Sequence, residues 1–191
     1  VSGAEPASIG PDRPQRPRIV FLVVGVVLAT GLGIGLFTSL GVPRAAVPAV
    51  GAAAPTFSLS LLEGRGSAGT PADGGGSGKP AVLLFFASWC TPCQSEVPAI
   101  ADVYRGQPGS SRVPVIGVDG QDPRNKALAF VHRSGVTFPV AVDPDYQVTE
   151  GLYDFTGDPD AVFINGNGTI AHIVHGPITA SQLLAWERRL T

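Results

Sequence analysis

The stretch "FFASWCTPCQSEVP", Phe85 to Pro98, decides how this chain is read, because Cys90 and Cys93 are its only cysteines in 191 residues. They follow the continuous apolar run "AVLLFF" (81–86), which predicts a central strand buried on both faces. A helix is expected to follow, through Cys93 to about Arg105. If it begins at Cys90, free backbone N–H groups and the positive end of the helix dipole surround that sulfur. They stabilise a thiolate, which is the attacking species. Cys93 lies one turn further on the same face, within reach of a mixed disulfide formed at Cys90. Thr91-Pro92 stiffens the first turn, where the missing proline N–H costs little. The spacing supplies one nucleophile and one resolving thiol.

Two other uses of the pair are weaker. A structural zinc site needs four ligands, usually two such pairs or a pair with histidines at helical spacing. The histidines here are His132, His172 and His175. The last two stand an odd number apart on an expected strand and point to opposite faces, while His132 is expected on a solvated helix face. A purely structural disulfide closing so short a loop constrains little chain.

The compartment is read from a second segment. Ile19 to Val42 is an uncharged run without proline; as a helix it is about 36 Å long and spans the ~30 Å hydrocarbon layer. Arg13, Arg16 and Arg18 precede it and Arg44 follows, so the N-terminus is expected in the cytoplasm and the rest outside. The apolar run exceeds the usual signal-peptide core, which favours a retained anchor over cleavage near Ala52-Ala53-Ala54. Outside the membrane, disulfides form and persist. The net charge is −2, with the acidic excess in the part after residue 54, so no electrostatic footprint for nucleic acid exists.

The expected organisation is a disordered cytoplasmic tail (1–18), a transmembrane anchor (19–42), a Pro/Ala linker (43–54) and one domain (55–191). Within the domain, "TFSLSLL" (56–62) alternates as a half-buried strand, and 63–80 is a glycine-rich surface loop. "VPVIGVD" (113–119) and "FPVAVD" (138–143) are strands. Between them Asp122 and Pro123 supply an N-cap and first-turn proline for a helix stopped by Gly135. A short helical turn follows near 145–151. "AVFIN" and "TIAHIVH" form a hairpin across Asn165-Gly166-Asn167-Gly168. The hairpin also explains Asn167-Gly168-Thr169 without a glycan. Thr179 caps the last helix with Gln182 as its capping-box partner, and Ile178 staples onto Leu183. Strands and helices in this order predict an α/β sandwich with a mixed sheet.

"FFASWCTPCQSEVP", with "APTFSL", "FPVAVDPD" and "YDFTGDPDAVFINGNGTI", resembles the membrane-anchored TlpA/ResA/CcmG-like thiol–disulfide oxidoreductases of the thioredoxin fold. The resemblance runs from Pro55 to the C-terminus. It implies a thioredoxin-like three-layer α/β sandwich, with Cys90 as the exposed nucleophile and Cys93 as the resolving thiol. It implies Glu96 as the family's acid on the Cys93 side, Trp89 packed beside the disulfide, and Pro98 as a helix-kinking proline. Pro159 would be a cis-proline facing the cysteines. In this fold its loop docks a substrate strand, placing Thr91, Pro92, Asp158 and Pro159 with Trp89 on the docking surface. No cofactor beyond the Cys90–Cys93 disulfide is implied, and no metal. The implied partners are protein thiols or disulfides and a membrane or extracytoplasmic electron donor.

Two positions depart from the pattern. Leu84, six before Cys90, stands where thioredoxins proper have a buried aspartate, which moves the acid–base role towards Glu96. Asp158 is an unusual acid before the cis-proline, and a carboxylate near the sulfurs disfavours the thiolate. The expected activity is reduction of protein disulfides, as in cytochrome c maturation. The alternatives are a disulfide-forming oxidant with the same site, or Cu(I) delivery through two soft thiolates. A peroxidase is excluded because its Thr and Pro upstream of one peroxidatic cysteine are absent.

Overall fold

The computed structural model describes residues 47–70, 79–109 and 112–191. The expected tail and anchor, Ile19–Val42 included, lie outside the described residues, as do residues 71–78 of the glycine-rich loop. Among the described residues no helix is long and apolar enough to cross a membrane.

The apolar run becomes β3 (Ala81–Phe86), buried along its whole length. It is central because β4 (Val115–Gly120) pairs with it in parallel on one side and β6 (Asp160–Ile164) antiparallel on the other. With β5 (Val140–Asp143) beyond β4 and β7 (Ile170–His175) beyond β6, the order is β5-β4-β3-β6-β7. The expected strand 56–62 is shorter. Only β1 (Leu59–Ser60) forms, paired with the two-residue β2 (Ser67–Ala68). Leu61 and Leu62 then join the β5 edge through a bridge to Ala141 and the Leu62 N–H on the Val140 carbonyl.

The two faces of the sheet are closed differently. On one, α1 (Cys93–Gly106), α2 (Arg124–Arg133) and α3 (Ala180–Glu187) place Val97, Ile100, Phe130 and Leu183 against Val82, Leu84, Phe86 and Phe163. On the other, Leu83, Phe85, Val118 and Val162 meet Val148, Tyr153, Phe155 and Ala54. The expected third layer is thus built from turns and an extended segment. Residues 51–54, expected as linker, run beside the start of β7. Gly51 N–H donates to Ile170 O at 2.8 Å, Ile170 N–H to Ala52 O at 2.8 Å, and Ala53 bridges Thr169.

The helix ends follow local chemistry, with one exception. Thr179 and Gln182 form the reciprocal capping box, and Ile178 and Leu183 are buried in one cluster. Gly135 takes φ +64° after α2, where a Cβ would also strike the Arg105 guanidinium. Asp122 does not cap α2. Pro123 occupies the N-cap position without a side-chain bond, and the Asp122 carboxylate turns instead to Ser88.

Candidate active site

Parallel β3 and β4 end at the same edge of the sheet, and antiparallel β6 begins there. Residues just after β3, at the end of β4 and just before β6 are therefore brought together, as ligand sites are at the carboxyl ends of parallel strands. Phe86 is in register with Asp119, and Phe85 with Asp160.

Cys90 and Cys93 are joined by a disulfide at this edge. The helix begins at Cys93 rather than Cys90, with Pro92 as N-cap. Cys90 consequently lies just ahead of the helix, and the Cys93 N–H donates to its sulfur at 3.2 Å. The amide expected to favour a thiolate at Cys90 is present, supplied from the first turn rather than from around the residue. Cys90 is also less open than expected: it is 4% exposed and Cys93 0%. Its neighbours are open. Thr91 and Pro92 are exposed, and Trp89 is 56% exposed, so the indole is no core residue.

Glu96 stands one turn beyond Cys93 and is 4% exposed, which rules out a solvated surface acid. Its Oε1 accepts the Ile178 N–H at 2.8 Å, while Oε2 is buried without a partner. Burial pushes the carboxyl up to about 7 against the opposing Ile178 bond, with the Asp160 charge adding to the rise. Such a group can exchange a proton near neutral pH. Pro98 lies inside α1.

The Asp158–Pro159 bond is cis, and Gly176 N–H donates to the Pro159 carbonyl at 2.9 Å. Asp158 accepts the Tyr146 hydroxyl at 3.2 Å on Oδ2, and its Oδ1 is buried without a partner. Burial lifts this carboxyl to about 6; the Tyr146 bond opposes the rise, while Asp160, Asp122 and Asp143 reinforce it. Tyr146 can lie here because Gly120 leaves room for its ring. Asp158, Pro159, Phe155, Gly157 and His175 line an open pocket of about 360 Å³.

Several groups at this edge were not singled out from sequence. Asp160 is buried and its carboxyl is raised to about 6, chiefly by burial, with His175 Nδ1 at 3.0 Å from Oδ1 opposing the shift. His175 thus pairs with Asp160 from an exposed position, whereas His172 stacks on Trp186 at 3.5 Å. Leu84 faces the helix-covered core. A buried carboxyl nevertheless exists one strand over: Asp119 is 2% exposed and raised to about 8 by burial and by the neighbouring Asp122 carboxyl. The signal that could have found it is positional, since "VDGQD" closes a parallel strand next to "FFASWC". Among the described residues no three of His, Cys, Asp and Glu are grouped as metal ligands.

Residues 50–173 match the model of the AhpC/TSA family. The chain is similar to the thiol-disulfide oxidoreductase ResA of Geobacillus thermodenitrificans, 30% identical over 171 residues, covering 90% of this chain and 94% of the relative. It is also similar to the thiol:disulfide interchange protein DsbE homolog of Paracoccus denitrificans, 38% identical over 103 residues, 52% of this chain and 54% of that one. Among solved structures it resembles MTB dsbF in its mixed oxidized and reduced forms, with TM-score 0.61 and 29% identity, covering 71% of this chain and 95% of that chain. The fold is the thioredoxin-like α/β arrangement with a mixed central sheet.

Proposed function

The chain belongs to the AhpC/TSA family and is a thiol–disulfide oxidoreductase, and from that premise we propose that it reduces protein disulfides on the outer side of a membrane. What supports the direction is the set of carboxyl side chains, Glu96, Asp119, Asp158 and Asp160, buried or half-buried at the sheet edge that bears the cysteines; Asp158 and Asp160, raised only to about 6, carry charge near neutral pH. Negative charge there disfavours thiolates. An oxidant needs a stabilised reduced form, so an acidic setting favours the disulfide and makes the dithiol a reductant.

The reaction begins with Cys90 as thiolate, helped by the Cys93 N–H. It attacks one sulfur of the substrate disulfide, forming a mixed disulfide and releasing the other sulfur as a thiolate. Glu96 takes the proton of the Cys93 thiol. The Cys93 thiolate then attacks Cys90 Sγ, freeing the second substrate sulfur and closing the Cys90–Cys93 disulfide. Two electrons pass to the substrate, and an electron donor restores the dithiol. Trp89, Thr91, Pro92, Asp158 and Pro159 form the docking surface, with the backbone of the cis-proline loop receiving the substrate strand.

Residues 19–42 would anchor the chain, with 1–18 in the cytoplasm and 43–54 leading into the domain at 55–191. Apocytochrome c, whose thiols must be reduced for haem attachment, fits this setting as substrate class. Expression of the full chain with Cys93→Ser tests the reading: a mixed disulfide to a protein partner through Cys90 should accumulate and vanish in Cys90→Ser. No trapped partner under those conditions would contradict it. Cu(I) delivery is the second reading. A Cu(I) competition titration giving tight binding only with both thiols would favour it.

A further inference from the structure

Glu96, Asp119, Asp158 and Asp160 gather at the sheet edge that bears the cysteines; the opposite edge is basic. There β3 and β4 begin and β6 ends, since Ala81 pairs with Ile164 and Val82 with Val115. Lys79 precedes β3 and Arg112 precedes β4. Arg188 and Arg189 follow α3. The chain after α3 is tied to the same edge, because Thr191 N–H donates to Asn165 Oδ1 at 3.2 Å and Gly166 N–H to Thr191 O at 2.6 Å. Two of these cations lie on aromatic faces: Arg112 is 4.6 Å from the Tyr104 ring centroid, and Arg189 is 4.6 Å from that of Trp186. Among the described residues none of the four is ion-paired with a carboxylate. The acids nearby are engaged otherwise. Asp102 pairs with Arg105, and Glu187, 8% exposed, accepts the Gln107 side-chain amide. Positive charge is left in excess.

The described chain also enters the domain at this edge. Residues 51–54 bond beside Gly168 and Ile170, and just ahead of them Val47 and Val50 are 56% and 61% exposed. Basic groups that meet anionic headgroups, beside apolar ones that reach the acyl boundary, make up a membrane-surface contact. We propose that this end of the domain rests on an anionic phospholipid surface. Lys79, Arg112, Arg188 and Arg189 lie against headgroup phosphates, and Val47 and Val50 sit at the edge of the acyl layer. The acidic cysteine edge is repelled by the surface that attracts the basic one, so one orientation is favoured. The Cys90–Cys93 edge then points away from the bilayer, toward soluble partners. The inference deepens the membrane-anchored reading and rests on it.

The chain has two tryptophans, one at each end: Trp89 beside Cys90, and half-buried Trp186 under Arg189. The full chain carrying Trp89→Phe, a change at an exposed ring, reports from Trp186 alone, and the parent adds Trp89. Both are reconstituted in vesicles of phosphatidylcholine, alone or mixed equally with phosphatidylglycerol. Spin-labelled headgroups in each quench tryptophan at close range. Trp186 should be quenched several-fold more with phosphatidylglycerol, while the parent keeps an unquenched fraction from Trp89. Salt at about 1 M, where screening acts within about 3 Å, should abolish the difference. Adding Lys79→Gln and Arg188→Gln, both at exposed positions, should weaken the phosphatidylglycerol-dependent contact about tenfold. Equal quenching of Trp186 in the two vesicles, full quenching of both tryptophans in the parent, or quenching indifferent to salt overturns the proposal. Flotation on phosphatidylcholine alone separates it from the anchor. A chain that floats there without phosphatidylglycerol-dependent quenching keeps its anchor and refutes this face; one that does not float, yet is quenched with phosphatidylglycerol, supports the face and refutes the anchor.

Discussion

Glu96 Oε1 accepts the backbone N–H of Ile178 at 2.8 Å, tying the first turn of α1 to the loop between β7 and α3. The same loop returns Gly176 N–H to the carbonyl of cis-Pro159. Resolving thiol, acid and docking loop are thus linked through one short backbone segment. Glu96 is anchored by one oxygen and keeps the other for proton exchange.

Glu96→Gln retains an acceptor for Ile178 but cannot take a proton. Resolution of the mixed disulfide by Cys93 should slow by about a hundredfold, the scale of a lost general base. Its pH profile should lose the inflection near 7 that Glu96 supplies. Stopped-flow release of a model disulfide substrate measures both. An unchanged profile would remove Glu96 from the chemistry.

The raised carboxyls set the sign of the stability profile. Glu96 rises to about 7 and Asp119 to about 8, both above their unfolded values near 4, so the folded chain holds more protons between these limits. Stability must then fall as pH climbs from about 4 to about 8, since the state binding more protons is favoured at low pH. Urea midpoints of the oxidised chain should be higher at pH 5 than at pH 8. Glu96→Gln and Asp119→Asn should each flatten the slope.

Asp158→Thr removes a carboxyl before the cis-proline. The Cys90 thiol should then ionise at lower pH, and the pair should become more oxidising. Thiolate absorbance of the reduced chain against pH reads the first effect directly. No shift would place Asp158 too far from the sulfurs to matter.

Thr179→Ala breaks both halves of the capping box at α3. The loss should be about 1 kcal/mol of stability, seen in urea unfolding, with Cys90 alkylation unchanged.

Much of this was legible because local patterns coincide with tertiary roles. "AVLLFF" had to be central, the Asn-Gly turn had to close a hairpin, and Thr179 with Gln182 had to start a helix. The pair and Glu96 followed from the motif. What pattern could not supply was anything decided by strand register. Asp119 looked like the polar end of a strand, and only its pairing opposite Phe86 puts it under the nucleophile loop. Asp122 matched an N-cap signature, yet two stronger donors on Ser88 claimed it. Residues 51–54 read as linker because alanine and glycine carry no periodicity, although their backbone groups bond beside β7.

The midpoint potential of the Cys90–Cys93 couple in the full chain tests the central claim most directly. Equilibration against glutathione or dithiothreitol buffers should give a value near that of thioredoxin, about −270 mV, as a carboxyl-crowded reductant requires. A value near −120 mV, that of a strong oxidant, would contradict it.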